Sequence, residues 1–163
     1  VGLFVLLTTI SVVYQQLGIP SAPSGIEQRV RDAGETDALL TLAPLSILII
    51  GPGEELVYRN IIQKRLYDLF PRLQSILLAS VIFAGIHYPA LSGGSVTGKL
   101  VSVSALLIPA LILGATYEYT DNIVVPSLIH GAYNATLFTG LYVSVKYSSE
   151  LSSAAGALSI GGF

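Results

Sequence analysis

The sequence predicts an all-α fold, a polytopic transmembrane helical bundle enclosing a polar cavity near mid-membrane. Three observations lead there. Only 11% of the 163 residues are charged while 52% are apolar, with a mean hydropathy of +0.71; a soluble domain carries about 25% charge. The charges gather into clusters separated by apolar runs of span length, and a helix needs about 20 mostly apolar residues to cross the hydrocarbon. Polar groups inside those runs are few and fall in three places: Glu54-Glu55-Leu56-Val57-Tyr58-Arg59, Phe83-Ala84-Gly85-Ile86-His87 and His130-Gly131-Ala132-Tyr133-Asn134.

The elements follow in order. Val1 to about Gln16 is a first apolar run; with no methionine in the chain, it reads as the remnant of a longer protein. It lacks the basic flank and cleavage site of a signal peptide. Residues 17–37 hold Pro20, Pro23 and Gly25 and then a mixed-charge stretch, expected as an aqueous loop with a short surface helix. A second run from Ala38 through Ile50 meets Gly51-Pro52-Gly53, where a kink or break is expected because proline gives no backbone donor and crowds the preceding turn. Helical spacing resumes over Glu54 to Phe70. Leu73 to Tyr88 is a third span, Leu91 to Gly98 a flexible loop, Leu100 to Tyr117 a fourth span and Asn122 to Val145 a fifth. The domain division expected is 1–37 for the partial span and polar loop, 38–147 for the helical core and 148–163 for a flexible tail. Lys and Arg divide four and four between the two faces, so the positive-inside rule gives no orientation.

Composition also excludes. A formal charge of -2 offers nothing to nucleic acid. The absence of cysteine removes disulfides, iron–sulfur clusters, thiolate zinc sites and a cysteine nucleophile together.

An ionisable side chain inside a span costs about 2.5–3.5 kcal/mol on insertion scales unless paired or wet. At 1.5 Å per residue Glu54 and His87 each lie roughly 20 Å along antiparallel helices, with His130 roughly 12 Å into its own and Asn134 about a turn deeper. The groups can therefore share one layer. Glu55 and Arg59, four apart, face the same way and can pair, whereas Glu54 is rotated by about 100° and left free. A carboxylate in an apolar pocket makes a general base near neutral pH; the plainer reading is a helix start with acids facing the dipole. His87 can equally be an interhelical hydrogen-bond partner, and Gly131 and Ala132 equally mark close packing. His130 and Asn134 on one face suit an oxyanion site. Glu54, His87 and His130 also form a donor set used by catalytic zinc, although the compact His-Glu-x-x-His helix is absent, as are a nucleophile elbow, a phosphate loop and a dinucleotide fingerprint.

At these residues the chain resembles the CPBP family, also called the Abi or type II CAAX prenyl endopeptidase family of intramembrane proteases. Its double glutamate with arginine four after the second, its Phe-x-x-x-His and its His-x-x-x-Asn are met by Glu54, Glu55 and Arg59, by Phe83 and His87, and by His130 and Asn134. The match covers about residues 38–145. The resemblance implies a cavity open to one side of the membrane, in which Glu54 and His87 activate a water, His130 and Asn134 bind the developing oxyanion, and Glu55 and Arg59 support them. It implies a multi-pass integral membrane protein, with a prokaryotic plasma membrane as the expected location, acting on a membrane protein or peptide among membrane lipid, with no nucleic acid partner; prenylated CAAX-type substrates are one role of the family, and the sequence itself shows no prenyl site. The family is described both as metal-dependent and as a metal-free glutamate protease; the favoured reading has no cofactor, with zinc on Glu54, His87 and His130 as the alternative. Two other classes stay open: a non-catalytic immunity or scaffold protein, and a proton or cation carrier. A scaffold need not keep both Glu54 and His130, and a carrier needs a polar path that Leu100 to Leu113 supplies only at Ser102 and Ser104.

Overall fold

The computed structural model describes residues 16–34, 36–148 and 150, together with positions 2, 5, 9 and 12–14. Most of the first expected span and most of the expected tail lie outside these residues.

A short helix α1, Gly25–Ala33, begins where the Ser24 hydroxyl accepts from the Glu27 amide and ends at Gly34, whose φ of 69° suits the left-handed turn that closes a helix. It is the surface helix expected in the loop. Its Val30 is buried, and the segment before it is tied to the bundle by the Ala22 amide and carbonyl, both bonded at 2.9 Å to the Ser102 hydroxyl. Four longer helices follow: α2 Asp37–Leu66, α3 Arg72–Ile86, α4 Val96–Thr120 and α5 Val124–Lys146. A 3-10 turn, Tyr88–Ala90, extends α3, and Ser95 caps α4 by accepting from Gly98, so the flexible loop ends three residues earlier than its composition suggests.

The break expected at Gly51-Pro52-Gly53 is absent, and α2 continues through it. The turns Ser46–Ile50 and Leu56–Gln63 widen to i→i+5 hydrogen bonding on either side of an ordinary turn, Gly51–Glu55, and the Gly51 amide bonds to the Ser46 carbonyl. Widening re-pairs the backbone around the proline, which therefore does not end the helix.

Three of the described helices are long and apolar enough to cross a membrane: α2 with 30 residues, Arg72–Ala90 with 19 and α4 with 25. The chain is an all-α integral membrane protein. Helix α5, expected as a fifth span, has 23 residues but falls short in apolarity, because Ser127, His130, Asn134, Thr136 and Thr139 dilute it. It packs along α2, and the contact is made by two glycines. A Cβ on Gly51 would lie 2.7 Å from the Gly131 nitrogen, and one on Gly131 would lie 2.6 Å from both the Ser46 oxygen and the Ile47 Cα. Backbone therefore touches backbone, as small residues permit between membrane helices.

Gly131→Ala is expected to force α2 and α5 apart, at the roughly 1–3 kcal/mol typical of overpacking. A melting temperature in detergent equal to that of the unaltered protein would show that the helices do not need this contact.

Candidate active site

The widened turn of α2 sets the first side chains. Glu55 and Arg59 have no exposed side-chain surface, and the Arg59 Nε donates to Glu55 Oε2 at 3.0 Å. The pairing expected from their four-residue spacing is thus present, and it neutralises two charges that the apolar surroundings would not otherwise tolerate. Gln63, one step further along, accepts from Arg59 Nη1 at 3.4 Å. Arg59 Nη2 has no hydrogen-bond partner among the described residues.

The Gly51–Gly131 contact brings His130 onto this pair. Its Nδ1 lies 2.9 Å from Glu55 Oε1 and its Nε2 lies 3.5 Å from Glu54 Oε2. A carboxylate in its charged form only accepts, so Nδ1 carries the hydrogen toward Glu55. The two glutamates differ sharply in setting. Glu54 keeps 32% of its side chain exposed, whereas Glu55 keeps none and His130 only 6%. The Glu54 expected to stand apart is therefore clear of Arg59 yet shares the imidazole with Glu55.

Phe83, buried on α3, is the surface against which the three motifs meet. Its ring centroid is 4.9 Å from Tyr58, 5.7 Å from His130 and 4.6 Å from His87, and the Arg59 guanidinium carbon lies 5.8 Å from it. His87 caps the C-terminus of α3 rather than standing mid-helix, and its Nδ1 is 2.7 Å from the Phe83 carbonyl. A carbonyl accepts only, so Nδ1 is the donor and neutral His87 presents Nε2 as a free acceptor. Since α2 and α3 run antiparallel, Glu54 and His87 each lie one turn beyond the Tyr58–Phe83 contact on the same side of it. Asn134, one turn along α5 from His130, is half-buried, and its amide is engaged by no other described residue.

The residue types and spacing singled out Glu54, Glu55, Arg59, His87, His130 and Asn134, but not Gln63, Tyr58 or the space around Gly114. Gln63 belongs to a series, Glu55, Arg59, Gln63 and Tyr67, repeating every four residues, which was the available signal. At its outer end the Gln63 amide donates to the Tyr67 hydroxyl at 2.6 Å, which in turn donates to Glu118. Burial first, and then the Glu118 carboxylate, push the Tyr67 hydroxyl above its ordinary range, so it stays a donor.

As for metal, each histidine has its Nδ1 fixed by an acceptor, which suits a ligand. Among the described residues, however, no three His, Asp or Glu side chains converge as a set that could hold an ion. Glu54 and His130 approach each other, and His87 does not join them, so the donors fit a zinc site only in part.

Arg59→Ala strands the Glu55 carboxylate without exposed surface, and breaking a buried pair costs about 3–5 kcal/mol. Its melting temperature in detergent is expected to drop accordingly. Normal melting together with lost activity would move Arg59 into the reacting shell.

A family model described as Type II CAAX prenyl endopeptidase Rce1-like matches residues 36–136, a stretch that holds all six of these side chains. No curated relative and no solved structure matches the chain. With well over half of its length matched, and with Arg59, His87 and His130 set around the buried Phe83, the chain belongs to the type II CAAX prenyl endopeptidase family.

Proposed function

We propose that the protein is an intramembrane endopeptidase that hydrolyses a peptide bond of a membrane-associated, CAAX-type prenylated protein through a water activated by Glu54 and His87. The observation that carries this reading is the contrast between the two glutamates. Glu55 is dry and committed to Arg59 and His130, whereas Glu54 faces His130 with a third of its side chain open.

In this reading a water between Glu54 and the free Nε2 of His87 loses a proton to the Glu54 carboxylate as its oxygen attacks the scissile carbonyl. The carbonyl π pair moves onto oxygen. His130, with both nitrogens protonated between two carboxylates, donates from Nε2 to that oxyanion, and the Asn134 amide donates beside it. The oxyanion pair then re-forms the carbonyl as the C–N bond breaks, and Glu54 returns its proton to the leaving amine. Two carboxylates, Arg59 and the imidazolium leave the site electrically balanced, so the water can be activated without a cation. A metal, where bound by Glu54 and a histidine, would supply Lewis-acid polarisation of the water.

For the lipid part of the substrate, an apolar groove of about 660 Å³ lined by Ile47, Ala132, Ala135, Thr136, Thr139 and Gly140 runs along α5 from the level of Asn134. An isoprenoid chain seated there would hold the preceding backbone near His130. For the carrier reading, the stretch Leu100 to Leu113 adds no polar path: the Ser102 hydroxyl is spent on Ala22 and that of Ser104 on the Leu100 carbonyl.

Glu54→Gln keeps volume and removes basicity, so cleavage of a prenylated reporter peptide is expected to fall by about 10²–10⁴-fold while the protein still inserts and melts normally. Near-normal turnover would sink the assignment, and a fully folded wild type that cleaves nothing would favour a scaffold. Asn134→Ala is expected to lose about 10²–10³ in turnover, as for one oxyanion donor. Purified active protein is expected to carry no stoichiometric zinc. Elemental analysis showing one zinc per chain, removed and restored together with activity, would overturn the metal-free form of this mechanism.

A further inference from the structure

The reaction outlined above gives no part to Gln63, although it is a polar side chain with no exposed surface in the last turn of a helix long and apolar enough to span the membrane. Its three contacts are all made. Besides accepting from Arg59 Nη1 at 3.4 Å, its amide nitrogen donates to the Gly114 carbonyl of α4 at 3.1 Å and to the Tyr67 hydroxyl at 2.6 Å. An unmatched amide here would be costly, and matching every atom fixes its rotamer.

The room for this arrangement comes from α4. A Cβ at Gly114 would stand 2.9 Å from Gln63 Oε1 and 3.1 Å from Arg59 Nη1, so the two side chains occupy a recess that any other residue would fill. The outer end is held as well. Tyr67 bonds to Glu118, Glu118 pairs with Arg72 at 3.2 Å, and the Arg72 guanidinium carbon lies 4.2 Å from the Tyr67 ring centroid. Helices α2, α3 and α4 thus all bear on Gln63. At the inner end Arg59 has slack, because Nη2 has no partner among the described residues. Two hydrogen bonds, Nε to Glu55 and Nη1 to Gln63, hold the guanidinium over the Phe83 ring.

We propose that Gln63, seated in the Gly114 recess, is a positioning residue for the reaction: it holds the Arg59 guanidinium, which holds Glu55, which turns His130 toward Glu54 and the oxyanion. The inference rests on the reading of Glu54 and His130 given under Proposed function. Without the Nη1 contact the guanidinium pivots on a single bond. The Glu55 carboxylate follows it, and His130 Nε2 leaves the line on which it must donate.

The test is Gln63→Met, which keeps length and suits the apolar span but makes no equivalent hydrogen bonds. Cleavage of a prenylated reporter peptide is expected to lose about 10–100-fold in kcat, the scale of removing a partner that orients a reacting group, with KM changed by less than about twofold. Gly114→Ala, which crowds the same pair from the other helix, is expected to give the same split. In a cycle with Arg59→Lys the kcat losses are expected not to add, because Gln63 acts through Arg59. Additive losses, or a raised KM with unchanged kcat, overturn the proposal. The cycle is also run on melting temperature, which depends on no reaction. Coupled melting shifts in a protein that cleaves no prenylated reporter sink the functional reading and leave the contact standing, whereas additive melting shifts sink the contact itself.

Discussion

A carboxylate with no exposed surface sits in a membrane helix, and the arrangement around it exists because such a charge is tolerable only when its lone pairs are fully used. Glu55 meets that condition by dividing its two oxygens, Oε2 to Arg59 on its own helix and Oε1 to His130 on another. The first contact comes from spacing along one helix. The second requires α5 to approach α2 until their backbones touch, which only glycine at 51 and at 131 allows. Phe83 then closes the remaining side with an aromatic face, against which a guanidinium and an imidazole can both rest.

From that centre the neighbouring glutamate acquires a different character. Glu54 and Glu55 are adjacent in sequence, so a helix points them about 100° apart, and here that rotation separates a dry acid from a partly wet one. The dry one is confined to structure by its partners. A single imidazole lies between the two, its Nδ1 on the dry acid and its Nε2 toward the partly wet one.

Much of this was readable from spacing. Four-residue intervals announced the Glu55–Arg59 pair and placed His130 and Asn134 on one helix face, and charge-free runs gave α3 and α4 within a few residues. At Pro52 an irregularity was legible but not its form, because a proline motif tells that a regular turn cannot continue, not which irregular turn replaces it; the widened turns depend on backbone pairing over Ser46–Ile50 that no local residue type encodes. Helix α5 has the length expected of a span, and its polar side chains leave it less apolar than α2, α3 and α4. Gln63 passed unnoticed because an uncharged amide on an amphipathic stretch looks like surface; only the glycine 51 residues later, on α4, makes the space that buries it.

The two bonds to Glu55 also differ in when they can form during biosynthesis. Arg59 emerges from the ribosome four residues after Glu55, so the nascent α2 can partition into lipid already carrying its own counter-ion. His130 is 75 residues later and reaches the carboxylate only after three more helices have been made and the last has folded back. In that interval the second oxygen of Glu55 faces unfinished surroundings, and its capture by His130 amounts to a completion signal for the helical core. A chain truncated ahead of α5 would keep the Glu55–Arg59 pair and yet present an unsatisfied acceptor within the bilayer.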